Sequence, residues 1–184
     1  MSQPWLQSSA ETLLKTRVFA IRALRRQSPR DGQMHDFWVI DAPDWVNVVA
    51  LTADGQLVLV EQWRHGTESV TVEVPGGMID PGETPLLAAQ RELLEETGYA
   101  SDNWQQIGVV LPNPAIQSNR CTTFLAKNCR HVAETRFDAT EECVLRLIAA
   151  ETAADKIRDG TIDHAIVIAA LNFAFLHGHL PMHA

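Results

Sequence analysis

The chain has 184 residues, 46% of them hydrophobic, and a formal net charge of −8. This length suits one domain, with room for a small N-terminal appendage, and it can bury a full core without disulfide staples. The acidic balance argues against a nucleic-acid polymer as partner, because no basic stripe answers a phosphate backbone; it leaves open a small phosphorylated ligand held through metal ions.

Nothing in the first six residues is basic or leads into an apolar stretch, so no signal peptide is expected. No apolar run approaches the roughly 20 residues that span a bilayer. Cys121, Cys129 and Cys143 form no CxxC pair and leave one thiol over in any disulfide scheme, which favours free thiols in a reducing, cytoplasmic compartment over a zinc site.

Residues 16–40 read as two or three strands, with Ser28-Pro29-Arg30-Asp31-Gly32 as the turn. Residues 46–52 form an apolar run, Asp54-Gly55 is a hairpin signal, and residues 56–62 are the return strand. Residues 70–74 alternate Val70, Val72 and Val74 against Thr71 and Glu73, which reads as a strand, and Pro75-Gly76-Gly77 as a loop. A helix is expected over residues 85–97. Thr84 is placed to cap it, Pro85 suits the first position and Gly98 the terminator. Residues 107–111, 122–126 and 144–148 read as strands, and 149–158 and 163–177 as helices, the last apolar nearly all round. His164 opens that helix and reads as a packed or capping residue. Mixed strands with two or three helices give an α+β fold or an α/β/α sandwich.

The informative segment is GMIDPGETPLLAAQRELLEETGY, residues 77–99. Glu92, Glu95 and Glu96 lie at i, i+3 and i+4, so the three carboxylates share one helix face. Like charges stacked this way repel, and only Arg91 stands nearby to relieve them. Leu86, Ala89 and Leu93 mark the opposite, core-facing side. Three carboxylates on a helix that leaves a glycine loop are what a hard cation such as Mg²⁺ needs, with waters and substrate phosphates filling its other positions.

This segment resembles the Nudix box, G-x5-E-x7-R-E-U-x-E-E-x-G-U. Gly77, Glu83, Arg91, Glu92, Leu93, Glu95, Glu96 and Gly98 fall at the required spacing, and Tyr99 stands at the last apolar position. The resemblance implies a Nudix α/β/α sandwich with a mixed sheet over residues 43–184, preceded by a small, dimerising β region over residues 1–42. It implies Glu92, Glu95, Glu96 and the Gly77 carbonyl as ligands of two or three Mg²⁺ or Mn²⁺ ions. Arg91 would orient a glutamate through a bidentate ion pair. Glu83 would pair with Arg91 or bind metal through water.

The flanks resemble the ADP-ribose and nucleotide-sugar pyrophosphatase branch. Glu73-Val74-Pro75-Gly76-Gly77 is similar to that branch's E-x-P-A-G lead-in, with Gly76 in place of Ala, and implies Glu73 near substrate or metal. Glu61-Gln62-Trp63-Arg64 is similar to its E-Q-x-R strand end and implies Arg64 as a phosphate grip. The Pro-rich loop after the box offers Gln117, Asn119 and Arg120 as sugar or phosphate contacts. Trp38, Trp45 and Phe37 are candidates for base stacking. The resemblance puts the general base in the loop before the last strand, at Glu141 or Glu142. His177, His179 and His183 read as part of a frayed tail.

The resemblance implies metal-dependent hydrolysis of a nucleoside diphosphate sugar to a nucleoside monophosphate and a sugar phosphate. Rivals within the class are hydrolases of nucleoside triphosphates, dinucleoside polyphosphates or coenzyme A. A rival from another class is a non-catalytic nucleotide-sugar sensor, against which the intact box counts.

Overall fold

The computed structural model describes residues 3–136 and 143–181 of the chain. Chain contacts divide it into two compact units, residues 1–43 with 111–120, and residues 44–110 with 121–184.

The first unit carries an antiparallel three-stranded sheet, β1 (Leu6–Lys15), β2 (Ala20–Gln27) and β3 (Met34–Asp41), in that order. β1 is exposed along its whole length, and its sequence, LQSSAETLLK, carries no strict apolar alternation. That is why a strand here escapes a reading of hydrophobic periodicity. The second segment of this unit lies along β3. Ile40 forms a parallel bridge with Gln117, the Ile116 carbonyl accepts from the Ile40 N–H at 2.7 Å, and Ser118 Oγ donates to Asp41 at 2.6 Å.

The second unit is built on a mixed sheet. Its strands are β4 (Trp45–Thr52), β5 (Gln56–Arg64), β6 (Ser69–Glu73), β7 (Gly76–Met78), β8 (Tyr99–Ala100), β9 (Asn103–Val110), β10 (Cys121–His131) and β11 (Cys143–Ala149). The spine runs β11-β5-β4-β10-β8, with β6 on β5, β7 on β4 and β9 on β10. β4 and β10 pair in parallel, and the other pairings are antiparallel.

Helix α1 (Pro85–Thr97) packs on one face. Helices α2 (Ala153–Arg158) and α3 (Ala165–Leu176) pack on the other. The run in β4 shows why both faces are apolar. Val46, Val48 and Ala50 meet Ala88, Ala89 and Leu93 of α1, whereas Val49 joins the cluster of Leu57, Leu59, Leu125, Ala170, Leu171 and Ala174 under α3. Side chains alternate along a strand, so a sheet covered on both sides reads as a continuous hydrophobic run. The fold is the α+β sandwich with a mixed sheet that the sequence suggests.

Several local expectations are corrected. Gly76 and Gly77 belong to β7 rather than a loop, because their backbone pairs with Asn47 and Val46 of β4. The strands expected over residues 16–40 begin at Ala20 rather than at residue 16. Residues 149–158 are not one helix. Ala149 still pairs with Gln56, Ala150–Thr152 form a 3-10 turn, and α2 starts at Ala153. Leu86 is 38% exposed, so the core side of α1 is Ala88, Ala89 and Leu93. Among the described residues, no helix is long and apolar enough to cross a membrane.

Gly108 in β9 lies flat against the ring of Phe173 from α3, and a Cβ there would overlap that ring. Gly108→Ala is expected to destabilise the protein by about 1–3 kcal/mol, the usual cost of forcing atoms into a packed core. Urea unfolding reads this directly, and an unchanged midpoint would show that Phe173 has room to withdraw.

Candidate active site

Helix α1 is fixed at both ends. Thr84 Oγ1 accepts from the Leu87 N–H at 3.3 Å and Pro85 opens the helix. Gly98 ends it at φ 72°, a left-handed conformation that glycine adopts without strain, and its N–H donates to the Leu94 carbonyl at 2.9 Å. Within this frame Ala88, Glu92 and Glu96 form one row four residues apart. They are 0%, 9% and 5% exposed, so two of the three glutamates of α1 are sunk beside the core. Glu95 stays half-exposed.

Arg91 ties the carboxylates together. Nε and Nη2 donate to Glu83 Oε1 and Oε2 at 3.1 and 3.0 Å, a bidentate pair. Nη1 donates to Glu92 Oε1 at 2.9 Å and to Glu95 Oε2 at 3.2 Å, and Nη2 also reaches the Met78 carbonyl at 3.0 Å. The hydrogen bond from Arg91 to Glu83 holds that carboxyl below the usual carboxylate range. The same pairing, with Glu92 and Glu95, raises Arg91 above its ordinary value. Asp80 donates its N–H to Glu83 at 3.1 Å, which braces the loop leading into α1.

The two glycines of β7 let this row approach the sheet. The Gly76 N–H donates to Glu96 Oε2 at 2.9 Å. A Cβ on Gly77 would overlap the Glu92 carboxylate, and one on Gly76 would overlap the Val46 carbonyl. The Gly77 position is therefore a cradle that the Glu92 carboxylate fills. Hard oxygen donors on one side of a helix, with no sulfur or imidazole among them, suit Mg²⁺ or Mn²⁺. Among the described residues, no three His, Cys, Asp or Glu side chains converge on one point.

A second charged cluster runs along one face of the β5–β6 hairpin. Arg64 donates through Nε to Glu73 Oε1 and through Nη2 to Glu73 Oε2, both at 2.7 Å. Thr71 Oγ1 donates to Oε1 at 2.5 Å, and His164 Nδ1 lies 3.0 Å from Oε2. Burial raises the Glu73 pKa, but Arg64, His164 and Thr71 outweigh it and hold the carboxyl far below its ordinary value of 4.5. His164 occupies the N-cap position of α3 without making a side-chain cap bond, so of the packed or capping roles the sequence suggests it does not take the capping one. Arg64 and Glu73, flagged separately in the sequence, are thus partners of each other. Glu61 of the same strand pairs with Arg146.

Residues 137–142, and with them Glu141 and Glu142, lie outside the described residues, as does His183. The flanks of that segment are anchored. The Arg136 N–H donates to the Glu95 carbonyl at 2.8 Å, while Cys143 Sγ lies 3.9 Å from Glu96 Oε1 and accepts from Gln62 Nε2 at 3.1 Å. Cys143 is a site neighbour that the sequence does not single out, since its proximity to Glu96 depends on the β11–β5 register. Burial pushes the Cys121 and Cys129 thiols up to about 12 and about 11, so both are unreactive near neutral pH.

In the other unit Asn119 is 2% exposed and, among the described residues, neither its Nδ2 nor its Oδ1 has a hydrogen-bond partner. Gln117 is half-buried and Arg120 exposed. Trp38 is 60% exposed, and Phe37 meets Trp5 edge-on with ring centroids 5.3 Å apart. Trp45, in the second unit, is half-buried and pairs with Met78.

The NUDIX domain model matches residues 43–170, a span that includes α1 and every residue of its carboxylate row. The chain belongs to the NUDIX domain family. It is similar to the ADP-ribose pyrophosphatase of Bacillus subtilis, 34% identical over 98 residues that make up 53% of each chain. It is similar to the ADP-ribose pyrophosphatase of Mycobacterium tuberculosis, 29% identical over 89% of this chain and 79% of that one. It is 32% identical to the ADP compounds hydrolase NudE of Escherichia coli over 65% of this chain and 64% of that one. The chain thus spans about half the length of the Bacillus subtilis relative. A crystal structure of an ADP compounds hydrolase shares the fold, with a TM-score of 0.83, 22% identity and 97% of both chains covered.

Two expectations follow for this NUDIX domain. Gly77→Ala forces the Glu92 carboxylate aside, and Mn²⁺ affinity by calorimetry should fall at least about tenfold, while stability shifts little because only a side-chain tip moves. Glu73, with its folded pKa depressed, binds more protons when unfolded. It therefore adds stability above its unfolded value, and that contribution is lost as pH falls from about 5 through the folded value. Glu73→Gln should flatten the dependence of the unfolding midpoint on pH between about 5 and 3. Parallel curves for variant and wild type would contradict this.

Proposed function

We propose that this protein hydrolyses the pyrophosphate bond of ADP-ribose or a related nucleoside diphosphate sugar, yielding a nucleoside monophosphate and a sugar phosphate. The observation that carries the reading is the carboxylate row of α1, seated against the glycines of β7 and bound to Arg91, in a chain whose relatives include ADP-ribose pyrophosphatases. Glu92, Glu95, Glu96 and the Gly77 carbonyl would hold two or three Mg²⁺ or Mn²⁺ ions. When bound, such ions neutralise charge on the diphosphate oxygens and lower the pKa of a coordinated water.

The chain's own residues supply the rest. Arg91, tied to Glu83, aims Glu92 and Glu95 through its hydrogen bonds to both. Arg64, its plane set by Glu73, offers its remaining N–H groups to a phosphate. Glu141 or Glu142 removes the proton of the attacking water, and water adds to one phosphorus in line. The anchoring of residues 136 and 143 to Glu95 and Glu96 supports a base drawn from the segment between them. Asn119, a buried amide with no hydrogen-bond partner among the described residues, is a candidate reader of a sugar hydroxyl. Gln117 and Arg120 are further contacts, and Trp38 or Trp45 a stacking surface for the base.

The enzyme acts as a homodimer in the cytoplasm, through the β region of residues 1–42. The exposed Leu6, Leu13, Leu14, Phe37 and Trp38 of the three-stranded sheet support an interface there. Neither a nucleic-acid polymer nor a membrane is a partner.

The test is a substrate panel with Mg²⁺, following phosphomonoester release from ADP-ribose, ADP-, GDP- and UDP-sugars, a dinucleoside polyphosphate and nucleoside triphosphates. Nucleotide sugars should turn over fastest. Glu96→Gln should lose about a hundredfold or more, and the general-base variant about 10²–10⁴-fold. Preferred turnover of triphosphates would overturn the substrate assignment, and nucleotide-sugar binding without turnover would overturn catalysis.

A further inference from the structure

We infer that His164 is a positioning residue for Arg64, acting through Glu73; the inference rests on the phosphate-gripping role given to Arg64 above. A guanidinium held by two parallel hydrogen bonds lies in the plane of its carboxylate, so its orientation is only as fixed as the carboxylate itself. Glu73 is held at both oxygens. Oε1 accepts from Arg64 Nε and Thr71 Oγ1, and Oε2 accepts from Arg64 Nη2 with His164 Nδ1 3.0 Å away. Thr71 secures one oxygen, and His164 secures the other against swinging with the arginine. With the Nε and Nη2 edge engaged, the Nη1 edge of Arg64 is what remains for an anion. Gln62, two residues before Arg64 on the same face of β5, donates to Cys143 Sγ, which lies 3.9 Å from Glu96 Oε1 of the box helix.

Three features favour this role over simple packing. His164 stands where Ser, Thr, Asp or Asn would normally cap a helix, yet its side chain makes no cap bond. Its Nδ1 is buried, makes no straight hydrogen bond and lies at ion-pair distance from a carboxylate. Its backbone is fixed to the sheet, because Asn47 Nδ2 of β4 donates to the Ile166 carbonyl in the first turn of α3 at 3.0 Å. The α3 terminus is thus fixed to the sheet beside the Arg64–Glu73 pair.

The experiment combines kinetics with a signature independent of turnover. In wild-type protein the Arg64 Nε–H, bonded at 2.7 Å, should give a slowly exchanging ¹⁵N–¹H resonance, assigned by its loss in Arg64→Lys. In His164→Leu that resonance should broaden through solvent exchange, and KM for the best substrate should rise about three- to tenfold with kcat within about twofold, part of what a charged hydrogen bond contributes. His164→Asn, which keeps an N–H near the Nδ1 position, should restore both. In an Arg64→Lys background His164→Leu should add little. An unchanged resonance and KM in His164→Leu, or additive losses in the double variant, would overturn the inference. Should His164→Leu fail to fold, His164→Gln takes its place, since its amide sits one carbon further out. If no phosphoanhydride is turned over, the functional reading falls, while the resonance still decides whether His164 fixes Arg64.

Discussion

Carboxylates sunk beside an apolar core are the constraint around which this site is built. Glu92 and Glu96 continue the row of Ala88 on the buried side of α1. A buried carboxylate costs several kcal/mol unless charge and hydrogen bonds answer it. Arg91 answers Glu92 from the open side, and the Gly76 N–H answers Glu96 from the sheet. Gly77 leaves the space that the Glu92 carboxylate fills, and the N–H that answers Glu96 comes from Gly76, whose backbone lies too close to the Val46 carbonyl of β4 for a Cβ. Strand, helix and ion-pair network are therefore one solution rather than three features.

Both arginines of the site are held by glutamates in the same two-point manner, Arg91 by Glu83 and Arg64 by Glu73. The settings differ. Glu73 is almost fully buried and has Thr71 and His164 as additional neighbours, so its grip is stiff. Arg91 divides its donors among three carboxylates and a carbonyl, which holds a cluster of like charges together without neutralising it. An incoming cation would meet an environment still short of positive charge, in a protein whose overall charge is −8.

What the sequence makes legible here is what depends on near neighbours. The limits of α1 are readable because Thr84, Pro85 and Gly98 act locally, and the carboxylate row because its spacing is helical. The family resemblance needs only this segment. β7 is not readable, since two glycines become a strand only when Val46 and Asn47 lie beside them. β1 is missed because its residues remain exposed and carry no apolar alternation. Arg64 and Glu73 stand out individually, but their pairing depends on the hairpin register that sets Arg64 opposite Ser69 and Glu73 opposite Val60. His164 reads as a packed or capping residue because local sequence is silent about the carboxylate that β6 brings to it.

The parallel pairing of β4 with β10 has a consequence for how the site comes into being. Cys121 meets Trp45 and Leu125 meets Val49, so this pairing joins parts of the chain more than seventy residues apart, and the box helix lies within the loop it closes. Contacts of such sequence separation form late, because chain entropy is lost before they reward it. The apolar seat of α1, made by Val46, Val48, Phe124 and Ala126 together, is complete only once this pairing exists. A chain still growing or refolding can form the helix early, but it cannot hold carboxylates at the edge of a core that is not yet there. The carboxylate face of α1 thus serves as a report on completed folding, and an immature chain has no such face.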